Sequence, residues 1–66
     1  MKISLNGETA DAQDAKTIAD LIERYQLPPQ CILVEHNGLA VPRREWSERA
    51  LAEGDRIELI RVVAGG

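Results

Sequence analysis

The sequence has a single cysteine, Cys31, and two aromatic residues, Tyr25 and Trp46, with no phenylalanine. One thiol excludes an intramolecular disulfide and a zinc site built from cysteines. With so few aromatic side chains, the core of the 66-residue chain has to consist of Ile, Leu and Val. A chain this short forms at most one domain and buries only about 60% of its unfolded surface, so we expect modest stability.

Basic charge and long apolar runs are also scarce. The net charge of -3 argues against a nucleic-acid-binding protein, because such a protein needs a basic surface to displace phosphate counterions. No apolar stretch is long enough to cross a membrane, and the N-terminus does not follow the signal-peptide pattern. We therefore expect a soluble protein in the reducing cytoplasm.

The first twelve residues predict a β-hairpin. In "MKISLN", apolar and polar residues alternate with the period of a strand that buries one face. Asn6-Gly7 is the preferred dipeptide of a type I′ turn, because both residues of that turn need positive φ. Residues 8–12 are therefore expected to return as a short second strand.

A helix follows this hairpin. Thr17 and Asp20 have the spacing of a capping box, which marks a helix N-terminus. One apolar stripe then recurs at helical spacing: Ile18, Leu21, Ile22 and Tyr25. The prolines at positions 28 and 29 end the helix, and a helix of two or three turns has to pack on a sheet to be stable.

The second half of the chain predicts three more strands. "CILVEH" is a nearly continuous apolar run, typical of a central strand, and Asn37-Gly38 predicts a second hairpin turn into a short strand at 39–42. "RREWSERAL" predicts a helical turn or an irregular crossover. A turn at residues 53–55 then leads into the last strand, "RIELIRVV".

This order of elements predicts an α+β fold of the β-grasp (ubiquitin-like) class, with a mixed four- to five-stranded sheet wrapping one helix. In that class the first and last strands are parallel neighbours at the centre of the sheet. We expect residues 1–63 to form the domain and residues 64–66 to form a flexible tail.

Catalytic side chains are not evident. Cys31 and His36 lie five positions apart on one predicted strand, so they should project to opposite faces and cannot act as a nucleophile and its base. We expect Cys31 to be a small buried residue and His36 to be solvated beside the turn. We therefore predict that the chain is not an enzyme and has neither catalytic residues nor a metal site.

The last strand predicts an exposed apolar face. If Ile57 and Leu59 face the helix, then Glu58, Ile60 and Val62 face the other way, where a one-helix domain has nothing to cover them. Ile60 and Val62 either reflect strand propensity alone or form a docking patch for a protein partner. Their position next to the tail favours the patch.

Ala64, Gly65 and Gly66 indicate a tail that another protein uses. Because the two glycines have no side chains, they can enter a narrow channel in any backbone conformation. A carboxylate on Gly66 could then reach an enzyme that activates it by adenylation with ATP. The alternatives are a frayed terminus or a remnant of cloning.

The chain resembles the ThiS family of sulfur carrier proteins of bacterial thiamine biosynthesis. The matching segments are "LNG" at residues 5–7, "NGLAVPRREW" at 37–46, "EGDRIELI" at 53–60, and Gly65-Gly66. Together they cover essentially the whole chain. Ala64 departs from the family tail, which often has glycine before the final pair.

The resemblance implies a ubiquitin-like carrier that acts as a protein co-substrate. A ThiF-type enzyme would adenylate the carboxylate of Gly66, and sulfur derived from a cysteine desulfurase would convert the adenylate to a thiocarboxylate. A ThiG-type thiazole synthase would take this sulfur into the thiazole ring. ATP and magnesium would belong to the activating enzyme, so we expect no cofactor on this chain.

Three other functions share parts of this pattern. A carrier for molybdopterin or cysteine synthesis would use the same tail chemistry. A ubiquitin-like modifier would be joined to lysines through Gly66. An interaction module of the same fold would not use its last two glycines at all.

Overall fold

The computed structural model describes residues 1–62, which form a five-stranded sheet, one α-helix and two short 3-10 helices. The 3-10 helices are Pro29–Cys31 and Arg43–Glu45. The longer elements are, in chain order, β1 (Lys2–Leu5), β2 (Glu8–Asp11), α1 (Ile18–Arg24), β3 (Ile32–His36), β4 (Leu39–Val41) and β5 (Arg56–Arg61).

The strand order in the sheet is β2-β1-β5-β3-β4. β1 and β5 run parallel, whereas the other neighbouring pairs are antiparallel. The sheet is therefore mixed, with the first and last strands as neighbours and β5 at the centre. This arrangement confirms the predicted β-grasp fold. Of the four or five strands predicted, the sheet has five.

Both hairpins turn at the predicted Asn-Gly pairs. Asn6 and Gly7 have φ of 51° and 84°, and Asn37 and Gly38 have φ of 52° and 86°. Two successive residues with positive φ define the type I′ turn, whose twist matches that of the flanking strands. These turns fix the registers of β1 with β2 and of β3 with β4.

Helix α1 begins at the predicted capping box. The amide of Asp20 donates to Thr17 Oγ1 at 3.1 Å, and the amide of Thr17 donates to Asp20 Oδ2 at 3.2 Å. The predicted stripe is wrong at Tyr25, which is 41% exposed because the helix ends at Arg24 and Tyr25 is its C-cap. The buried core consists of Ile3, Ala12, Ala15, Ile18, Leu21, Ile22, Ile32, Val34, Val41, Trp46, Leu51 and Ile57.

The segment between β4 and β5 is the predicted irregular crossover. It starts with the 3-10 helix Arg43–Glu45 and buries Trp46, whose Nε1 donates to the carbonyl oxygen of Val41 at 3.0 Å. In the described part of the chain, no helix is long and apolar enough to cross a membrane. The predicted domain limit at residue 63 and the tail at 64–66 lie outside the described residues.

Candidate functional site

The two faces of β5 differ as the alternation predicted. Ile57 is fully buried against the helix side and Leu59 is partly buried there. On the opposite, outer face, Glu58 is exposed and Ile60 is 45% exposed. Val62, which directly follows β5, is 43% exposed. Two β-branched apolar side chains are thus open to solvent at the end of the central strand.

Leu33 enlarges this apolar surface, although its place in an apolar run gave no indication of exposure. Leu33 is 57% exposed and lies directly opposite Ile60 in the antiparallel register of β3 and β5. Directly opposite residues share one face of a sheet, and Val62 follows Ile60 by two positions, so Leu33, Ile60 and Val62 form one surface, called the outer patch below. In the run "CILVEH" both faces carry apolar residues, so only the pairing with β5 identifies Leu33 as exposed.

Two carboxylates border the outer patch. Glu58 lies directly opposite Glu35 in the register of β5 and β3, on the outer face. Like charges in such a pair repel each other. Within residues 1–62, neither carboxylate forms an ion pair. A partner that covers this face would gain by placing a basic side chain between them.

The last described residues are held against β3. Arg61 pairs with Ile32, and one step further the amide of Val62 donates to the carbonyl oxygen of Cys31 at 2.7 Å. The prediction of a buried Cys31 on a strand was wrong, because this residue ends the 3-10 helix and is only half-buried. The chain is therefore positioned up to Val62. Ala64, Gly65 and Gly66 lie outside the described residues.

The prediction of a solvated His36 was also wrong. Its side chain is buried, and Nε2 forms a hydrogen bond of 2.7 Å with Asp55 Oδ2. Asp55 also accepts from Asn37 Nδ2 at 3.1 Å and from the amide of Ala52 at 2.8 Å. The Asn37 side-chain oxygen in turn accepts from the amide of Arg56 at 2.8 Å. This network ties the β3–β4 turn to the start of β5.

The charge state of Asp55 follows from the same contacts. Burial by itself raises the pKa of the carboxyl, but hydrogen bonds from His36, Asn37 and Ala52 favour the carboxylate and leave its pKa below the ordinary value. The Asp55 carboxylate therefore acts as a hydrogen-bond acceptor that holds the β3–β4 turn against the start of β5. In the described ranges, no three His, Cys, Asp or Glu residues are grouped so that they could hold a metal ion.

The fold and the outer patch define a small ubiquitin-like protein with an exposed apolar surface at the end of its central strand. The ThiS family model matches residues 3–66. The chain therefore belongs to the ThiS family.

Individual relatives agree with this assignment. The sulfur carrier protein ThiS of Bacillus subtilis is 34% identical over 65 residues, which are 97% of this chain and 98% of the relative. The sulfur carrier protein ThiS of Escherichia coli is 29% identical over 66 residues, the full length of both chains. A thiazole synthase of Magnetococcus marinus is 35% identical over 66 residues, and there this chain spans only 20% of the relative's length.

A solved structure has the same fold. The crystal structure of a thiamine biosynthesis protein (ThiS) from Geobacter metallireducens superimposes with a TM-score of 0.83 over 100% of both chains, at 22% identity. The β-grasp architecture is therefore that of a known ThiS structure.

Proposed function

We propose that this protein is the sulfur carrier for thiazole formation in thiamine biosynthesis. A ThiF-type enzyme adenylates the Gly66 carboxylate with release of pyrophosphate, and the terminal sulfur of a persulfide that originates from a cysteine desulfurase displaces AMP to form an acyl disulfide. A thiol, such as excess cysteine, then reduces the S–S bond and leaves the thiocarboxylate on Gly66. A ThiG-type thiazole synthase then accepts the sulfur. In this scheme the chain is a co-substrate, and the enzymes that bind it supply the catalytic groups.

The match of the ThiS family model to residues 3–66 carries this proposal, since it includes the fold and the Gly65-Gly66 pair. Full-length similarity to two proteins named as sulfur carriers supports the carrier role. The Magnetococcus marinus thiazole synthase contains a segment similar to this whole chain. That similarity supports a thiazole synthase as the recipient of the sulfur.

The residue types at positions 64–66 suit the chemistry. Gly65 and Gly66 have no side chain and Ala64 has only a methyl group, so this stretch fits a channel too narrow for larger residues. We propose that Ala64 and Gly65 thread the active site of each partner and that Gly66 is the modified residue. One carrier can then deliver the same carboxylate to successive enzymes.

We propose that these partners dock on the outer patch, with Glu58 beside it. Ile60 and Val62 are exposed although they are apolar, and Leu33 extends the same surface. Removing such side chains from water favours association by roughly 25 cal/mol per Å². The carboxylates of Glu58 and Glu35 favour a partner with a basic group at the rim.

The carrier role is tested by intact mass. The protein is incubated with ATP, magnesium, a ThiF-type enzyme, a cysteine desulfurase and cysteine. A mass gain equal to the exchange of one oxygen for sulfur, mapped to Gly66, is expected. Deletion of Gly66 should abolish the gain. No gain with an enzyme set that modifies the Escherichia coli relative would contradict the proposal.

The docking surface is tested by Ile60→Asp, which places an unpaired charge in the interface. Affinity for the ThiF-type enzyme, measured by calorimetry, should fall at least about tenfold. Leu39→Asp is the matched control, because Leu39 is 62% exposed but lies outside the outer patch. Equal affinities of the two variants would exclude Ile60 from the interface.

A further inference from the structure

The final residues of β5 have a neighbouring strand on only one side. β1 pairs with β5 at Ser4↔Arg56 and Leu5↔Ile57 and then turns away into β2. β5 continues to Arg61 and is paired with β3 from Ile57 to Arg61. Within residues 1–62, no strand lies beside residues 58–61 on the β1 side.

The backbone groups that face this open side can be identified from the hydrogen bonds. The Ile57 carbonyl accepts from the amide of Asn6 at 2.9 Å, and the amide of Leu59 donates to Asn6 Oδ1 at 2.8 Å. Odd-numbered residues of β5 therefore direct their backbone groups towards β1, and even-numbered residues direct theirs towards β3. By this alternation the Leu59 carbonyl and the Arg61 amide point to the open side. These two groups are called the open edge below.

A groove lies next to the open edge, on the helix side of the sheet. It has a volume of about 320 Å³, and its walls include Leu5, Tyr25, Leu27, Leu59 and Arg61. The exposure of Tyr25, which the helix pattern did not predict, places an aromatic side chain in this wall. A strand added along the open edge would direct alternate side chains into this groove and towards the outer face.

We propose that the open edge pairs with an extended segment of the adenylating enzyme, which adds as a strand in line with β1. This inference rests on the proposed function and specifies how the enzyme holds the residues before the tail. The segment carries an apolar side chain that fills the groove and an acidic side chain beside the exposed Arg61.

Two features of the open edge favour an extended segment of the adenylating enzyme as its partner: its unpaired backbone groups beside a groove, and its position next to residues 63–66. Strand addition supplies main-chain partners for an unpaired edge, and a pocket beside that edge selects the incoming side chain. The open edge also lies immediately before the tail, so the added strand would fix the direction in which residues 63–66 enter the enzyme.

A backbone substitution tests the proposal without changing any side chain. A chain of 66 residues can be assembled by chemical ligation, with a methyl group on the backbone nitrogen of Arg61. This methyl group removes the donor at the open edge and leaves the β5–β3 hydrogen bonds in place. The control carries the methyl group on the nitrogen of Thr9. That amide points outward from β2, because Ala12 donates to Met1 across the β1–β2 pair at 2.9 Å.

The readout is the affinity of each folded chain for the purified ThiF-type enzyme. We expect the Arg61 methyl group to weaken binding about tenfold or more, and the Thr9 methyl group to leave it unchanged. Equal affinities of the two methylated chains would overturn the inference while the carrier function stands. If the unmodified chain neither binds nor gains sulfur, the proposed function fails and this inference with it.

Hydrogen exchange on the unmodified chain gives a second test that does not depend on the methylated chain folding. The Arg61 amide should exchange fast in the free protein and slowly in the complex. Unchanged exchange in a saturated complex would overturn the proposal. A dimer of the free chain that the Arg61 methyl group abolishes would also overturn it, because the occupant would then be a second copy.

Discussion

Asp55→Ala should destabilise the fold strongly, although this residue has no place in the proposed sulfur transfer. The Asp55 carboxylate accepts three hydrogen bonds, from His36, Asn37 and the Ala52 amide. Its side chain is only 13% exposed. Alanine at this position would leave the buried His36 ring nitrogen and the Ala52 amide without this acceptor.

The expected loss is about 3 kcal/mol in the free energy of unfolding. Each hydrogen bond contributes about 1 kcal/mol, and loss of one partner of a buried pair costs about 3–5 kcal/mol. A domain of this length has a total stability of roughly 3–10 kcal/mol. The variant would therefore lose a large part of its stability.

The loss should depend on pH in a defined direction. Because the pKa of Asp55 is lowered in the folded state, its carboxylate stabilises the fold fully above the unfolded pKa of about 3.9. This contribution disappears as the pH falls through the folded pKa. The difference between wild type and Asp55→Ala should thus be large at pH 7 and shrink below about pH 4.

Urea unfolding followed by the fluorescence of the buried Trp46 measures this difference. Asp14→Ala is the matched control, because Asp14 is exposed, and its unfolding midpoint should not move. A loss under about 1 kcal/mol for Asp55→Ala, or a loss that stays constant down to pH 3, would refute the reasoning.

Three further substitutions test individual contacts. Thr17→Ala removes the N-cap of α1 and should cost about 1 kcal/mol in urea unfolding, whereas Thr17→Ser should cost less. Trp46→Phe removes the indole donor to Val41 and should cost about 1–2 kcal/mol in thermal unfolding, and an unchanged midpoint would contradict this expectation. Asn6→Gly removes the side-chain acceptor of the Leu59 amide and tolerates the positive φ of this turn position, so that amide should exchange faster with deuterium while distant core amides keep their rates.

The strands, the turns and the helix start could be predicted because their signals are local. The Asn6-Gly7 and Asn37-Gly38 pairs each specify a turn within two residues. The capping box at Thr17 spans only four positions. Periods of two and 3.6 residues then separate buried from exposed side chains over most of the chain.

The misjudged residues depend on contacts that are distant in sequence. His36 is buried because its partner, Asp55, arrives from a turn 19 positions away. Leu33 belongs to the outer patch because of its register with β5, which its own strand does not encode. The open edge of β5 also follows only from the point at which β1 turns away.

The residues of β5 that hold the fold together differ from those that we propose for recognition. Ile57 and Leu59 point into the protein and hold the sheet on the helix, whereas Glu58 and Ile60 point outward. The backbone of Leu59 and Arg61 faces a third direction, along the sheet. Substitutions at position 57 should therefore act on folding, those at position 60 on docking, and backbone methylation at position 61 on strand addition. Because the three directions meet just before residues 63–66, the proposed partner would contact two of them without disturbing the core.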